Sequence, residues 1–173
     1  GRLILGLLVN STKTIKIIGD KSLSKRDFRR VTEPLKKFGV NCKLNKNTGL
    51  PLTITGSSQL KPINYLENRG SAQCKSSIIF AALRTPGTTY IKAKKSRNHT
   101  ELLCKYLKLP VHVQSKKKYD FIRVKKANKI KSLNYKIPSD ISSSAFFIVL
   151  TALSQKSKLI IKNVNVNPSR TGV

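Results

Sequence analysis

Acidic side chains are scarce in this chain, which has 7 aspartates and glutamates against 35 lysines and arginines and a formal net charge of +28. They are spread thinly, as Asp20, Asp27, Glu33, Glu67, Glu101, Asp120 and Asp140. A general acid and a general base built from carboxylates need two such groups close together. The spacing offers no such pair, so we assign no catalytic residue within this sequence.

Tryptophan and methionine are absent and cysteine is rare, with 3 residues in 173. Cys42, Cys74 and Cys104 lie in apolar segments and lack the short paired spacings that zinc or redox sites need. We expect buried thiols in a reducing compartment. No apolar run approaches the roughly 20 residues of a bilayer span, and no signal-peptide pattern is present. We therefore predict a cytoplasmic protein without a membrane partner.

The positive charge has two explanations, a polyanionic partner or a lysine-rich composition laid over an ordinary enzyme. Lysines are scattered along the whole chain, with small concentrations at residues 116–118 and 125–131. Aromatic residues that could stack on bases are rarely interleaved with them. We predict no specific nucleic-acid partner and expect only salt-sensitive, nonspecific attraction to polyanions. A basic nucleic-acid-binding module stays open as an alternative from a different functional class.

What the chain does contain is an internal repeat. Two stretches displaced by roughly 70 residues carry the same order of apolar and polar positions. SAQCKSSIIFAAL from residue 71 overlays ISSSAFFIVLTAL from residue 141, and the strand-like segments that follow, ending at Lys92 and Lys162, also overlay. An earlier copy is cut short and starts with an apolar helix end at residues 3–8. We predict an α+β fold of repeated helix-and-strand (βαβαββ) units.

Local signals place elements in the first unit. A strand over residues 14–18 precedes a helix that ends at Gly39. Residues Phe28, Val31, Leu35 and Phe38 recur at helical spacing. Pro34 either kinks this helix or marks a later start near Thr32. Residues 41–44 and 52–55, separated by a turn-rich segment, predict a hairpin.

The later units show the same order of predicted strands and helices. The second has a strand at 88–93, a helix at about 98–107 and a hairpin of strands near 111–113 and 121–124, with the lysines of 116–118 in its solvated turn. Asn98 and Glu101 have capping-box spacing. The side chains expected to form the buried face of that helix are Leu102, Leu103, Tyr106 and Leu107. The third unit opens a helix at 139–142 and continues through a helix and a strand to Val166.

The segment RGSAQCKSS, residues 69–77, runs straight into the apolar stretch 78–83. It places hydroxyl, amide and ammonium groups on the opening turn of a helix, where free backbone N–H groups and the positive dipole end suit an anion. An ordinary serine-capped core helix is the other interpretation. Ser96 and Arg97 at the next helix start, and Arg26 behind a Gly-Asp turn, favour anion binding.

Other kinds of site find no support. His99 and His112 are separated in the sequence, and neither has other potential metal ligands beside it. No P-loop, dinucleotide fingerprint or nucleophile elbow is present. We expect neither a metal nor a cofactor.

Several segments, taken in order, resemble the EPSP synthase family, the 3-phosphoshikimate 1-carboxyvinyltransferases. They are Ser71-Ala72-Gln73 with Lys75-Ser76, Ser96 to Glu101, Asp140 to Ser143 with Ala145 to Phe147, and Asn167 to Gly172. The turn at 19–26 with the helix at 29–40 adds another signature, and Arg2-Leu3 with Gly6 to Leu8 resembles the end of the family's first conserved helix. The resemblance covers essentially every segment of the chain.

This resemblance implies an incomplete enolpyruvyl transferase fold, with residues 1–137 in an N-terminal domain lacking its first part and residues 138–173 opening a truncated C-terminal domain. It implies transfer of the enolpyruvyl group of phosphoenolpyruvate to the 5-hydroxyl of shikimate 3-phosphate, with release of phosphate, by a monomeric enzyme of the shikimate pathway. The residues implied to bind shikimate 3-phosphate are Ser71, Ala72, Gln73, Ser96 and Arg97. Those implied to bind phosphoenolpyruvate are Arg26 and Gln73.

The chain also departs from the family pattern. Asp27 follows Arg26 where the family usually has proline, and Ser139 precedes Asp140 where glycine is usual. We expect Asp27 to neutralise Arg26 in part. The family's N-terminal Gly-Ser-Lys-Ser segment and its later proton-transfer motifs have no counterpart here, so we expect truncated ends and a fragment that is inactive alone. A UDP-N-acetylglucosamine enolpyruvyl transferase of the same fold is the nearer alternative.

Overall fold

The computed structural model describes residues 1–170 and divides the chain into two compact units, Gly1–Ile130 and the segment from Lys131 onward. In the first unit, β1 (Thr14–Ile17), β2 (Asn41–Asn45) and β3 (Gly49–Thr55) form an antiparallel sheet in the order β1-β3-β2. The predicted hairpin joins β2 to β3. Lys46 and Asn47 in its turn adopt positive φ angles, which close the turn tightly.

Two helices cross between β1 and β2. The short α1 (Lys21–Ser24) is capped by Asp20, whose carboxylate accepts the Leu23 N–H. The longer α2 (Arg29–Lys37) contains Pro34 as an interior residue, so the helix starts before Thr32. The predicted apolar face is confirmed, because Phe28, Val31, Leu35 and Phe38 are all fully buried. Gly39, at a φ of +98°, ends the helix in the conformation that glycine adopts most readily.

A mixed four-stranded sheet is the second sheet of the first unit. Its strands are β4 (Asn64–Glu67), β5 (Thr88–Lys94), β6 (Val111–Ser115) and β7 (Tyr119–Lys125), in the order β4-β5-β7-β6. β4 and β5 are parallel and are joined through α3 (Ala72–Ala82), while the other pairs are antiparallel. The predicted β6–β7 hairpin is confirmed, with its lysines exposed in the turn.

Helix α3 is the centre of the core. Its apolar residues Ile78, Ile79, Ala81 and Ala82 are buried. A 3-10 helix, Leu3–Leu7, packs against it where an apolar helix end was predicted. Gly6 makes this contact possible, since a Cβ there would lie 2.1 Å from the carbonyl oxygen of Ser77. The close approach brings the N-terminal residues of the chain to the side of α3.

The buried face of helix α4 (His99–Tyr106) differs from the predicted one. Leu102, Leu103 and Tyr106 are exposed, and the buried residues of the helix are instead Thr100, Glu101 and Cys104. The capping-box interpretation was also wrong, because Asn98 occupies the cap position without a side-chain cap hydrogen bond. The reason is that Glu101 points into the protein toward a buried cation, and this rotates the helix away from the face that hydropathy favours.

In the segment from Lys131 onward, α5 (Ile141–Leu153) starts as predicted, with Asp140 accepting the Ser142 N–H. The strand predicted before Val166 is not formed, since a strand needs a hydrogen-bonded neighbour and only an isolated bridge joins Ser139 to Val164. A 3-10 turn at Pro168–Arg170 follows. No residue of α5 is buried. The end of the Asn167 to Gly172 signature lies outside the described residues.

The three cysteines are free and buried, as expected. Burial raises the pKa of Cys42 and Cys104 to about 11 and that of Cys74 to about 12, so all three stay neutral thiols at physiological pH. In the described part of the chain, no helix has the length and apolar character needed to cross a bilayer.

A matched pair of leucine truncations tests where the core lies. Leu35 on α2 is 0% exposed, and Leu102 on α4 is 49% exposed. We expect Leu35→Ala to lower the free energy of unfolding by about 2–5 kcal/mol, since it leaves a cavity. We expect Leu102→Ala to change it by no more than about 0.5 kcal/mol. Urea unfolding followed by circular dichroism measures both, and equal losses would contradict the observed face of α4.

Candidate anion-binding site

The turn before α3 is fixed by a buried carboxylate. Glu67, at the end of β4, accepts the backbone N–H of Arg69 and of Ser71, both at 3.0 Å. Gly70 lies between them at a φ of +65°, and Ser71 then caps α3 by accepting the Cys74 N–H at 3.3 Å. The first turn of the helix presents the half-buried residues Ser71, Ala72 and Gln73, as the sequence predicted.

Gln73 contacts one arginine, Arg2, which has two more arginines near it. One terminal guanidinium nitrogen of Arg2 donates to the Oε1 of Gln73 at 3.0 Å. Burial, followed by the nearby charges of Arg30 and Arg26, lowers the pKa of Arg2 below its usual value. The Nε atoms of Arg2 and Arg30 are both buried without a hydrogen-bond partner in the described residues. Concentrated positive charge with unpartnered donors is the arrangement that an anionic ligand satisfies.

The position of Arg30 follows from Pro34. A proline has no N–H, so the carbonyl four residues earlier, that of Arg30, loses its usual helical donor. The Cys74 thiol donates to this Arg30 carbonyl at 3.0 Å instead. The bond joins the start of α2 to the first turn of α3, and thereby keeps Arg30 next to the Ser71 to Gln73 turn.

Two polar contacts join α3 to α4. The Lys75 ammonium lies 2.6 Å from the Oε1 of Glu101, with the two side chains 0% and 7% exposed. Beside this ion pair, the hydroxyls of Ser76 and Thr100 are hydrogen-bonded at 2.6 Å. All four residues belong to the first two turns of their helices. The contacts therefore hold the two helix N-termini side by side.

The loop that leads into α4 lies against the turn that leads into α3. A Cβ on Gly70 would be 3.5 Å from the carbonyl oxygen of Lys95. The neighbouring Ser96 is half-buried, and its hydroxyl is buried without a hydrogen-bond partner in the described residues. Arg97 is exposed, and no hydrogen bond links it to the other candidate residues in the described part of the chain.

Arg26 follows α1 and is exposed. Its charge contributes to lowering the pKa of Arg2, which places the two guanidinium groups within electrostatic range of each other. Asp27 was expected to neutralise Arg26, but its carboxylate pairs with Arg29, at 2.9 Å. Hydrogen bonds from the Arg29 side chain hold the pKa of Asp27 below its usual range. The nearest acidic side chain in sequence is thus engaged by another arginine.

The structure therefore joins Gln73 to Arg2 by a hydrogen bond and places the charges of Arg30 and Arg26 within electrostatic range of Arg2. Ser96 follows Lys95 in the loop that lies against the turn before α3. Sequence reasoning missed Arg2 and Arg30 as candidates. Arg2 lay in a segment that resembled a family helix, and the Arg29-Arg30 run was a visible signal. No group of three or more potential metal ligands occurs among residues 1–170.

Comparison with known proteins identifies the family. The profile of the family described as EPSP synthase (3-phosphoshikimate 1-carboxyvinyltransferase) matches residues 1–173. The chain belongs to the EPSP synthase family. Curated relatives named 3-phosphoshikimate 1-carboxyvinyltransferase include those of Caldicellulosiruptor saccharolyticus, 42% identical over 99% of this chain, and Streptococcus mutans, 41% identical over 99%. The chain spans 40% of the length of each of these two relatives.

Solved structures agree with the EPSP synthase fold. An EPSP synthase from Acinetobacter baumannii aligns with a TM-score of 0.79 at 34% identity, covering 99% of this chain and 38% of its own. The enolpyruvyl transferase NikO from Streptomyces tendae aligns with a TM-score of 0.50 at 11% identity over 71% of this chain, a likeness of fold alone. The α+β fold of helix-and-strand units predicted for an incomplete enolpyruvyl transferase is confirmed.

Removing one partner of the buried ion pair tests the joint between the helices. Lys75→Met leaves the Glu101 carboxylate buried and unpaired, so we expect the free energy of unfolding to fall by about 3–5 kcal/mol. The double variant Lys75→Met/Glu101→Leu removes both charges and is expected to recover most of that loss. Urea unfolding of the three proteins measures the effect.

The exposed Arg69–Glu33 contact, at 3.9 Å, supplies the control for this test. Glu33→Gln should cost less than about 1 kcal/mol, because solvent already screens the pair. A loss in Lys75→Met no larger than that in Glu33→Gln would mean that the buried pair does not hold α3 to α4.

Proposed function

We propose that this chain forms part of an enzyme that transfers the enolpyruvyl group of phosphoenolpyruvate to the 5-hydroxyl of shikimate 3-phosphate and releases phosphate. Family membership supports the reaction. The observation that carries the proposal to this chain is the cluster of Arg2, Arg30 and Gln73. Arg2 donates to Gln73, and the Nε atoms of both arginines are buried without a hydrogen-bond partner in the described residues. Both substrates are phosphorylated anions, and positioned guanidinium groups bind phosphates and carboxylates strongly.

We assign the binding roles by residue. Ser71, Ala72 and Gln73, together with Ser96 and Arg97, would hold shikimate 3-phosphate, and Gln73 with Arg26 would hold phosphoenolpyruvate. The joined N-termini of α3 and α4 support the first set, since hydroxyl groups and helix dipoles of both helices meet there. To the second set we add Arg2 and Arg30. The pairing of Asp27 with Arg29 supports a role for Arg26, because it leaves that cation available.

We assign no catalytic acid or base within residues 1–173. The chain spans 40% of the length of the relatives named above, so the groups that move protons would come from other parts of the enzyme. We propose that residues 1–137 form most of the N-terminal domain and that residues 138–173 open the next one. Three buried free thiols support a reducing, cytoplasmic setting. We infer a monomeric enzyme.

A segment exchange tests the proposed reaction. This chain would replace the matching segment of the Streptococcus mutans relative, and phosphate release would be followed with both substrates. We expect the chimaera to turn over, and the 173-residue chain alone to bind shikimate 3-phosphate without turnover. Within the chimaera, Arg2→Ala should lower kcat/KM by about 10- to 100-fold, because it removes a charge-assisted hydrogen bond to an anionic substrate.

Arg84→Ala is the matched control, since Arg84 is exposed just beyond the opposite end of α3. It should leave kcat/KM unchanged. Equal losses in Arg2→Ala and Arg84→Ala, or a folded chimaera that releases no phosphate, would contradict the proposed function. Thermal unfolding of each variant establishes that it is folded.

A further inference from the structure

Within the unit Gly1–Ile130, the four-stranded sheet has one face that none of that unit's helices covers. Side chains alternate along β5 and β7, so Ile91, Ala93, Ile122 and Val124 point into the core while their neighbours point outward. We call the uncovered surface the outer face and define it by Tyr90, Lys92, His112, Tyr119, Phe121 and Arg123. Tyr90 is 53% and Phe121 36% exposed, so both aromatic rings are accessible from solvent.

Strand register interleaves aromatic and basic side chains on the outer face. Tyr90 on β5 lies opposite Arg123 on β7, and Lys92 lies opposite Phe121. On the far side of β7, His112 of β6 lies opposite Arg123. Tyr90 and Phe121 are therefore diagonal neighbours, about 7–8 Å apart. Two adjacent flat groups of one ligand can rest on them together.

Lysine ammonium groups lie over two rings of the outer face, those of Tyr119 and Phe121. The Lys92 ammonium is 4.9 Å from the centroid of the Tyr119 ring and 5.8 Å from that of Phe121. Lys116, in the β6–β7 turn, lies 5.2 Å from the Phe121 centroid. Tyr90, Phe121 and Arg123 also line an open groove of about 630 Å³ that crosses all four strands. Because the groove spans the width of the sheet, a chain-like ligand can lie across the strands in it.

The outer face carries no negative charge. The two carboxylates of the sheet, Glu67 and Asp120, are buried on its other side. Glu67 accepts backbone N–H groups before α3, and Asp120 accepts the Ser115 hydroxyl at 2.6 Å. The face therefore complements a ligand that is anionic and also offers flat π surfaces. An acidic peptide has charge without such surfaces, and a duplex hides its bases.

We propose that the outer face binds single-stranded nucleic acid without sequence preference. Bases stack on Tyr90 and Phe121. The flexible Lys92 and Lys116 side chains swing away from the Phe121 ring as the base arrives, and Lys92 then contacts the phosphates together with Arg123. This binding is separate from the proposed enolpyruvyl transfer, since none of its residues belongs to the anion-binding site at the helix starts.

Fluorescence anisotropy with a labelled uridine oligomer of about 15 nucleotides tests the proposal on the 173-residue chain. We expect the oligomer to bind more tightly than an RNA duplex of equal length at about 0.15 M salt. Tyr90→Ala/Phe121→Ala should weaken single-strand binding by at least about fivefold per ring, with an unchanged salt slope, because no charge is lost. Lys92→Gln/Arg123→Gln should instead reduce the salt slope by about 1 per residue.

The matched control is Phe146→Ala/Phe147→Ala, which removes two exposed rings on α5 and should leave binding unchanged. If circular dichroism finds the alanine variant unfolded, Tyr90→Leu/Phe121→Leu keeps the apolar bulk and tests the rings alone. The proposal is overturned if ring removal has no effect, if the duplex binds equally well, or if poly-glutamate competes as strongly as unlabelled oligomer. Any of these results would assign the binding to net charge.

Discussion

The ion pair between Lys75 and Glu101 is the contact on which the arrangement of the site depends. Two helix N-termini carry positive dipole ends and disfavour close approach, yet α3 and α4 start side by side. A carboxylate in the first turn of α4 offsets this repulsion, and it is itself neutralised by a buried ammonium on α3. The Ser76–Thr100 hydrogen bond fixes the rotation of one helix against the other. These contacts hold side by side the two helix starts that follow Ser71 and Ser96.

A second constraint comes from the backbone of α2. Pro34 lies inside this helix, where a proline usually lowers helix stability because it removes one backbone hydrogen bond. In this protein the freed Arg30 carbonyl receives the Cys74 thiol, so the loss within one helix becomes a link to the next. Burial keeps Cys74 in the neutral form that can donate this bond. The guanidinium of Arg30 is consequently held close to that of Arg2, an arrangement that costs electrostatic energy until an anion is present.

The sequence predicted elements well where a single local signal determined them. The hairpins at 45–49 and 115–118, the apolar face of α2 and the serine cap of α3 all follow from turn residues, period or capping chemistry. The prediction for the buried face of α4 was wrong because the partner of Glu101 is Lys75, 26 positions away in sequence. No local pattern encodes such a distant cation. The prediction of a strand before Val166 was wrong because a strand forms only where a neighbouring strand can pair with it. Arg2 and Arg30 were missed for the same reason, since only the fold brings Arg2 to Gln73 and Arg30 close to Arg2.

The central claim is that α2, α3 and the N-terminal segment form one anion-binding site. Nuclear magnetic resonance titration of the isotope-labelled chain with inorganic phosphate tests it directly, by following the backbone amides of residues 71–74 and the Nε–H signals of Arg2 and Arg30. The account predicts that these signals shift together with a single dissociation constant, while Arg84 Nε–H stays unchanged. Shifts spread over the surface lysines and Arg84, with residues 71–74 unaffected, would contradict it.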